Sequence, residues 1–251
     1  MAVSKDSLDD RVDQDEQREI EIRDQEASQY DQWIARTKGR WWFEVEKAAT
    51  LSYLHPSPTD IILDCGCGTG RFSLAVAPLV QQVLCMDHSQ ESLKVLSEKA
   101  EKGNIRNLSV FHASIEVMDC IPSASADHAL MIEVLQHLPS HQKRINALKE
   151  CWRVLKPGGR LVFDVYRWGG AITVDKEGYW ISGLYRFAFT PEDIHNALGE
   201  AGFRVSGIQG ILNYPRLRRL GDWTSHIDRL ISLLPGSTTR GIYLCACGVK
   251  P

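Results

Sequence analysis

Two patterns of hydrophobic positions alternate along most of the chain. Short runs of β-branched and other apolar residues predict buried strands, and stretches with apolar residues three or four positions apart predict helices that pack on them. The predicted strands cover residues 60–64, 82–87, 108–112, 127–133, 160–166, 203–210 and 241–248. The predicted helices cover residues 43–54, 71–80, 90–103, 140–155 and the stretch from Thr190 to Gly202. This alternation predicts an α/β domain with a doubly wound, mostly parallel seven-stranded sheet.

The same pattern sets the predicted limits of the domain. No internal repeat or low-complexity linker interrupts the chain after residue 30, so residues 30–251 are predicted to form one domain. Within it, residues 30–55 are predicted to be an aromatic-rich helical cap that precedes the first strand. Residues 213–240 lie between the last two strands and are predicted to be an insertion.

Residues 1–29 differ in composition from the rest of the chain. They hold ten acidic and four basic residues, a net charge of −6, and few apolar positions. Because such a segment has too little apolar surface to pack by itself, we predict a flexible N-terminal extension, either a solvated, frayed helix or a disordered tail. The remaining 222 residues then carry a net charge of +3.

Composition places the chain among ordinary globular proteins. Its 251 residues are 43% hydrophobic and 24% charged, with a net charge of −3. No apolar stretch is long enough to span a membrane, and the first residues lack the pattern of a signal peptide. Seven cysteines, an odd number, make a poor disulfide framework. We therefore predict a cytoplasmic protein. The near-neutral net charge predicts no membrane partner and argues against a nucleic-acid partner, although a local basic patch is compatible with this average.

A glycine-rich turn follows the first predicted strand. It reads Asp64-Cys65-Gly66-Cys67-Gly68-Thr69-Gly70, and its glycine spacing departs from the G-x-G-x-x-G of dinucleotide-binding proteins. Three glycines in five residues let the backbone approach a ligand without Cβ clashes. Asp87 ends the second strand, where a carboxylate can accept hydrogen bonds from ribose hydroxyls. These features predict a ligand that is a nucleoside with a polar tail.

Three motifs, in this order along the chain, resemble those of a known family. Residues 61–70 resemble the glycine-rich motif of class I S-adenosylmethionine (SAM)-dependent methyltransferases. Cys85-Met86-Asp87-His88-Ser89 resembles the ribose-binding strand end of that family, and residues 155–161 resemble its stretch before the fifth strand. The resemblance covers residues 30–210 and includes the methyltransferase type 11 and ubiquinone-biosynthesis O-methyltransferase groups. It implies a Rossmann-like fold, SAM as the cofactor and methyl transfer as the activity.

The resemblance also implies which residues bind the cofactor. Asp64 and the glycine loop are expected to hold the methionine end of SAM, and Asp87 to bind its ribose. Ser114 and Ile115 are expected beside the adenine. Because the family often has aspartate where Ser114 stands, a hydroxyl or backbone group is expected to replace the bond to the adenine amine. The expected cofactor-binding residues are Asp64, Gly66, Cys67, Gly68, Gly70, Asp87, His88, Ser114, Ile115 and Glu133.

Two residues of the cap are expected to complete the cofactor site. Tyr30 is expected to cover the cofactor, and Arg40 is expected to pair with its methionine carboxylate. Ordinary helix packing explains the aromatic residue equally well, and a solvated helix face explains Arg40 equally well.

His137 is the candidate catalytic residue. It follows strand four, near the place where the methyl group of SAM should project, and a neutral imidazole there is suited to take a proton from a hydroxyl or amine. A role in shaping the pocket fits the sequence equally well. Glu133, Gln136 and His137 also resemble the Glu-x-x-Glu-His pattern with which quinone-biosynthesis O-methyltransferases can hold a divalent cation. Since Gln136 replaces one carboxylate, we predict no metal.

Aromatic and basic residues outside the strands are the candidate substrate contacts. Trp41, Tyr166, Arg167 and Tyr185 are expected to meet the methyl acceptor, because such side chains suit a flat or cationic group, although they equally suit the core of a lid. The run Arg216-Leu217-Arg218-Arg219 is suited to a carboxylate, a phosphate or an RNA backbone, and equally to a solvated helix face.

The leading interpretation is a methyltransferase that acts on an oxygen or nitrogen of a small molecule, with a specialised metabolite as acceptor and a monomer or homodimer as the assembly. Residues 135–138 also resemble tRNA methyltransferases that act on carboxymethyl-uridine at the wobble position, but the chain has no recognisable RNA-binding domain. A third interpretation is a non-catalytic SAM-binding partner subunit, since the glycine loop and Asp87 argue for ligand binding but do not by themselves show turnover.

Overall fold

The structure is a computed structural model that describes residues 5–169, 175–234, 236–239 and 241–251. Its helices are α1 (Lys5–Thr37), α2 (Gly39–Leu54), α3 (Arg71–Val76), α4 (Gln90–Lys102), α5 (His141–Val154), α6 (Pro191–Glu200) and α7 (Ser225–Ser232). Its strands are β1 (Ile61–Cys65), β2 (Gln82–Asp87), β3 (Leu108–His112), β4 (Ala126–Ile132), β5 (Leu155–Tyr166), β6 (Glu177–Tyr179), β7 (Tyr185–Phe187), β8 (Arg204–Ile211) and β9 (Tyr243–Val249).

Seven of the described strands form one sheet in the order β3-β2-β1-β4-β5-β9-β8. The neighbours from β3 to β5 are parallel, and β9 runs antiparallel to both β5 and β8. The winding of the chain reverses between β1 and β4, which opens a crevice beyond the carboxyl ends of these strands. The prediction of a Rossmann-like, doubly wound, mostly parallel seven-stranded sheet with N-terminal helices is confirmed.

Apolar side chains cover both faces of this sheet. One face, which includes the fully buried Leu63 and Phe163, packs against α5 and α6. The other face, which includes the fully buried Ile62 and Val162, packs against α2, α3 and α4. Neighbouring residues such as Ile62 and Leu63 serve opposite faces because side chains alternate along a strand. The sheet is therefore buried on both sides, as a mainly parallel sheet requires.

The predicted elements occur in the predicted order and differ from the structure mainly at their ends. The helix predicted over 71–80 is α3 as far as Val76, followed by a 3-10 turn over Ala77–Leu79 that contains Pro78. Proline has no N–H for the α-helical bond, which explains the tighter turn. The strand predicted over 160–166 already begins at Leu155. The short hairpin of β6 and β7 was not predicted from the sequence.

The described part of the N-terminal extension over residues 1–29 is helical, and it packs on the body of the protein where a solvated segment was expected. Residues 5–29 belong to α1, which continues without a break to Thr37 and crosses the predicted domain boundary at residue 30. The helix packs against α4 and α2. Ala27 is 3% exposed and Glu19 is 8% exposed, so one side of the helix is buried against the body of the protein.

Acidic side chains of α1 contribute to this packing. They accept hydrogen bonds from side chains of the body: Asp15 from Tyr179 at 2.7 Å, Glu16 from Lys143 at 2.5 Å, Asp24 from Ser89 at 2.6 Å and Asp31 from Thr69 at 2.7 Å. Residues 1–29 carry −6 and the rest of the chain +3, so the net charges also attract. The acidic residues that predicted a solvated segment thus connect α1 to the body of the protein.

The insertion predicted over 213–240 leaves the sheet at the end of β8 and returns at the start of β9. Its longest element is α7, which packs against α2 and β8. The predicted cap over residues 30–55 corresponds to the end of α1 and the whole of α2. Among the described residues, no helix is long and apolar enough to cross a membrane. All seven cysteines are described, and all are free thiols.

Candidate functional site

A pocket opens beyond the carboxyl ends of β1, β2 and β4, and α1 lies across it. This is where ligands bind in doubly wound sheets. The pocket brings together most of the residues that were expected to bind a cofactor: Tyr30, Gly66, Cys67, Gly68, Asp87, His88, Ser114, Ile115 and Glu133. It also contains His137. Of the expected set, Asp64, Gly70 and Arg40 are not in its lining.

The glycine loop between β1 and α3 forms the floor of the pocket. Its backbone N–H groups at Gly66 and Cys67 both donate to the carbonyl of Met86, at 2.8 and 2.9 Å, which fixes the loop to the end of β2. Gly66 has a φ of +73°, and a Cβ at this residue would lie 2.4 Å from Cγ2 of Val134. Both the backbone conformation and the space therefore require glycine here.

Asp87 is held at the end of β2 with its carboxylate against the same loop. One oxygen accepts from the N–H of Gly68 at 2.7 Å, and the other accepts from the N–H of Ser89 at 2.8 Å. Only 7% of the residue is exposed, yet it lines the pocket. Each carboxylate oxygen retains a further lone pair that can accept a hydrogen bond from a ligand.

Asp64 and Gly70 lie behind the loop and support it. Asp64 accepts a hydrogen bond from the hydroxyl of Ser73, on α3, at 2.5 Å. Burial raises the pKa of the Asp64 carboxyl to about 6, although the bond from Ser73 opposes the shift. A Cβ on Gly70 would meet Leu96 at 2.1 Å, so this glycine lets α4 pack closely. Both residues connect the loop to its neighbouring helices.

His137 lies in the pocket with one ring nitrogen already engaged. Its Nδ1 is 2.9 Å from the backbone carbonyl of Tyr185, and a carbonyl can only accept, so Nδ1 carries the proton. The neutral ring therefore has an unprotonated Nε2. Burial lowers the pKa of His137 below its ordinary value of 6.5, with Glu19 opposing and Arg23 adding to the effect. The imidazole is thus neutral at pH 7 and able to accept a proton.

The unpredicted hairpin of β6 and β7 holds this histidine. Tyr185, on β7, supplies the carbonyl, and its hydroxyl donates to Glu177 on β6 at 2.8 Å. Tyr166 packs edge-to-face on the His137 ring, with ring centres 6.1 Å apart. Tyr166 and Tyr185 were expected to contact substrate. Neither is among the residues that line the pocket, and both instead fix the orientation of His137.

The other expected contacts from the cap and from β5 lie elsewhere. Trp41 is 1% exposed and belongs to the core beneath α2. Arg167 donates from Nε to the carbonyl of Gly241 at 2.6 Å, so it links the end of β5 to the start of β9. The Arg40 side chain is 77% exposed and lies 3.9 Å from Glu44 on the surface of α2, so the expectation that it pairs with the cofactor carboxylate is not supported.

Lys38 and Arg71, two cations that the sequence analysis did not single out, lie near the pocket, where Arg40 was expected. Lys38 forms an ion pair with Glu133, and Arg71 reaches Glu133 at 3.4 Å and Glu46 at 2.5 Å. The Tyr243 hydroxyl also donates to Glu133, at 2.6 Å. Burial alone would raise the pKa of Glu133, but the two cations outweigh it and lower the pKa to about 2. Glu133 is therefore ionised, and Arg71 brings positive charge to the pocket wall.

Helix α1 contributes the residues that sequence reasoning missed most completely. Glu16, Glu19 and Arg23 all line the pocket. Arg23 donates to one oxygen of Glu19 at 2.8 Å, and the other oxygen is buried without a hydrogen-bond partner among the described residues. Burial would raise the pKa of Glu19, but His137 and Arg23 lower it overall. The four-residue spacing of Glu19 and Arg23 was the available signal, yet it is equally common on solvated helices.

A metal site does not assemble from Glu133, Gln136 and His137. The Gln136 side chain is buried, and its oxygen accepts from the N–H of Tyr166 at 2.7 Å. Within the described ranges, no group of three or more His, Cys, Asp and Glu side chains is placed to hold a metal ion.

Comparison with known proteins identifies the family. Residues 63–163, which include the glycine loop, Asp87 and His137, match the family of methyltransferase domains. This match, the curated relatives and the shared fold together support a class I SAM-dependent methyltransferase. SAM is accordingly its cofactor.

A curated relative of this methyltransferase is a ubiquinone biosynthesis O-methyltransferase of Psychrobacter arcticus, which is 32% identical over 63% of this chain and 64% of its own length. The same name belongs to a relative from Idiomarina loihiensis that is 34% identical over 41% of each chain. The chain spans between 41% and 64% of the length of the first curated relatives it matches.

Solved structures share the fold of this methyltransferase along most of its length. A methyltransferase of Haloferax volcanii, in complex with the Trm112 methyltransferase activator, has a TM-score of 0.65 at 20% identity and covers 91% of this chain and 97% of its own. A SAM-dependent methyltransferase of Thermotoga maritima has a TM-score of 0.63 at 20% identity and covers 92% and 99%.

Proposed function

We propose that the protein transfers a methyl group from SAM to an oxygen or nitrogen of a small-molecule acceptor, with a specialised metabolite as the acceptor. The observation that carries this proposal is the placement of His137 in a pocket whose floor is the glycine loop. The family match supports the cofactor, and the ubiquinone biosynthesis relatives support an oxygen acceptor.

The residues of the pocket fit SAM. The glycine loop offers a backbone cradle without side chains, and Asp87 keeps lone pairs for the two ribose hydroxyls. Ile115, 8% exposed, offers an apolar surface for the adenine beside Ser114. Arg71 supplies the positive charge for the methionine carboxylate. When bound, SAM would supply a methyl group on a sulfonium: a nucleophilic oxygen or nitrogen would bond to the methyl carbon as its C–S bond breaks, and S-adenosylhomocysteine would leave as a neutral thioether.

His137 would act on the acceptor as a general base. Its Nδ1 proton is committed to the carbonyl of Tyr185, so Nε2 is the atom that takes the proton from the acceptor hydroxyl or amine. The resulting imidazolium would gain from the nearby carboxylate of Glu19, which already raises the affinity of His137 for a proton. The proton leaves the acceptor as the methyl group joins it, so the charges balance.

Glu19 would also position the acceptor. Its free carboxylate oxygen is buried in the pocket wall and needs a hydrogen-bond donor, since an unsatisfied buried acceptor costs about 1–3 kcal/mol. A hydroxyl or amine of the acceptor would supply that donor. The same residue on α1 thus favours acceptors with at least two polar hydrogens, one for Nε2 of His137 and one for Glu19.

The test is a binding measurement followed by a turnover measurement. Calorimetric titration with SAM and with S-adenosylhomocysteine should show one-to-one binding. Incubation with methyl-labelled SAM and fractionated metabolite pools should label a small molecule. His137→Ala should slow the labelling by roughly 10²-fold or more while binding of S-adenosylhomocysteine persists. Labelling of tRNA and of no small molecule would instead support the wobble-uridine alternative.

A partner-dependent enzyme or a non-catalytic partner subunit is the second candidate. It has support from the Haloferax methyltransferase, whose fold this chain shares and which was solved with an activator subunit. In that case the isolated chain would bind S-adenosylhomocysteine but label neither metabolites nor tRNA until a partner is added.

A further inference from the structure

The insertion carries an exposed apolar surface, which we call the 220–234 face. It consists of Leu220, Trp223, Ile227, Leu230, Leu233 and Leu234. Of these, Leu220, Trp223, Leu230 and Leu233 are all more than 60% exposed. From Trp223 to Leu233 these side chains follow one another at intervals of three or four residues, the interval that places residues on one face of a helix, and Leu234 is adjacent to Leu233. A contiguous apolar surface of this kind on a globular protein marks a site of interaction.

The orientation of α7 is fixed by polar contacts on its inner side. Asp228 is fully buried and accepts from the N–H groups of Leu212 and Tyr214, each at 3.0 Å. Ser232 accepts from the side chain of Asn213 at 3.0 Å. Small polar residues therefore face the protein and large apolar residues face outward, the reverse of an ordinary surface helix. The exposed face follows from these specific bonds and not from loose packing.

Basic residues adjoin this face in the sequence: Arg219 precedes Leu220, and Arg229 precedes Leu230. Residues 213–240 contain five arginines and two aspartates, a net charge of +3, while the rest of the chain carries −6. Arg216, Arg219 and Arg229 are exposed, and none of them has an ion-pair partner in the described part of the chain. One of the two aspartates, Asp228, is buried under α7 and does not offset the charge at the surface.

The face is attached to the edge of the sheet that also bears the pocket. The insertion begins after Ile211, which pairs with Tyr243 in the sheet. Tyr243 in turn pairs with Tyr166 across β5 and β9, and its ring packs against that of Tyr166, which contacts His137. A partner surface that binds the 220–234 face would therefore lie near the part of the sheet that contacts His137.

We propose that the 220–234 face docks on an anionic lipid surface. Helices that lie in a membrane interface combine a Trp- and Leu-rich face with basic residues at its border, and this is the combination seen here. The apolar side chains would enter the boundary between headgroups and acyl chains, and the three exposed arginines would meet lipid phosphates. An RNA partner would use the arginines but leave six large apolar side chains exposed. The earlier expectation of no membrane partner rested on whole-chain charge, which hides this local excess.

The proposal is tested by sedimentation of the full chain with vesicles. One set contains phosphatidylcholine alone, and in the other phosphatidylglycerol replaces about a third of it. We expect strong co-sedimentation only with the anionic vesicles, and weakening as salt is raised. The double variant Leu230→Ser with Leu233→Ser should lose binding. Arg219→Ser with Arg229→Ser should weaken it by roughly fivefold per arginine.

Matched controls separate docking from folding. Val117→Ser removes an apolar side chain that is 58% exposed elsewhere, and Arg40→Ser removes an exposed arginine of α2; both should bind vesicles like the parent chain. All variants should bind S-adenosylhomocysteine with unchanged affinity. Equal binding by the parent and the Leu230→Ser, Leu233→Ser variant would overturn the proposal. A homodimer in light scattering that this variant dissociates would also overturn it, because a second copy of the chain would then cover the face. Binding of tRNA that depends on the arginines, in the absence of vesicle binding, would overturn it as well.

Discussion

The pocket has two walls that are built in different ways. The sheet wall consists of the glycine loop, Asp87 and His137, which follow or end neighbouring strands of the sheet and are held by hydrogen bonds with backbone groups. The helix wall is α1, which adds Glu19 and Arg23 and is attached to the body by side-chain contacts of its acidic residues. The sheet wall is thus fixed by hydrogen bonds with the backbone, and the helix wall depends on polar contacts between side chains.

This difference assigns different tasks to the two walls. Backbone hydrogen bonds within a buried sheet edge hold atoms in place, which suits cofactor binding and proton transfer. Side-chain contacts near the surface are individually weak and are screened by salt. We therefore expect substitutions in the sheet wall to affect the cofactor and the chemical step most, and substitutions in the helix wall to affect the acceptor.

The largest effect is expected from His137→Ala in the sheet wall. Loss of a general base lowers kcat by roughly 10²- to 10⁴-fold, and affinity for S-adenosylhomocysteine should change much less. Steady-state kinetics and calorimetry measure the two quantities. His195→Ala, which removes an exposed histidine of α6, is the matched control. Equal losses of turnover and of cofactor affinity would indicate that His137 only shapes the pocket.

Asp87→Ala should have the next largest effect, on affinity for SAM. The variant loses the ribose acceptor and also the bonds that hold Gly68 and Ser89, so we expect a loss of about 2–3 kcal/mol, or roughly 30- to 150-fold in Kd. Calorimetry with S-adenosylhomocysteine is the measurement. Asp119→Ala, at an exposed position, should bind like the parent chain. An unchanged Kd for Asp87→Ala would remove this residue from the cofactor site.

Glu19→Gln in the helix wall should act on the acceptor. Glutamine keeps the size of the side chain but loses the charge, so we expect the KM for the acceptor to rise roughly five- to tenfold while SAM affinity changes less than about twofold. Glu26→Gln, an exposed residue of the same helix, is the control. A loss of SAM affinity as large as that of Asp87→Ala would show that the two walls do not divide the tasks in this way.

The smallest effect is expected from pH, and it connects the two walls. His137 works as a base only when it is neutral, and burial lowers its pKa below 6.5, so kcat should fall less than about twofold between pH 7.5 and pH 6.5 and decline only at lower pH. Glu19 opposes that shift, so Glu19→Gln should move the decline to still lower pH. A decline centred above pH 7, or one that Glu19→Gln leaves in place, would contradict this assignment.

The sheet wall could be predicted because its residues carry local signals. A glycine loop after a strand, an acid at the end of the next strand and a histidine after the fourth each have a fixed place relative to their own element. Parallel strands bring those ends together, so the order of elements was enough to place Asp87 and His137 in one pocket. The tautomer of His137 was not predictable, because it depends on the carbonyl of Tyr185, 48 residues away.

The helix wall could not be predicted because ion pairs and hydrogen bonds between distant residues leave no periodic pattern. Arg40 and Lys38 illustrate this: they are two positions apart in the sequence, yet only Lys38 reaches Glu133, 95 residues away. The same limit applies to the insertion, which the sequence placed between the last two strands without indicating which side of α7 faces the protein. The bonds of Asp228 to Leu212 and Tyr214 decide that orientation.

The sequence by itself determined the order of strands and helices, the glycine loop, Asp87 and the family, because each depends on residues close together in the chain or on the alternation of apolar positions. Only the tertiary structure decided that α1 covers the pocket, that Glu19 joins His137 there and that an apolar face is left at residues 220–234. These features depend on which distant polar groups meet, and the energy of such contacts is set by burial and geometry that no local pattern contains.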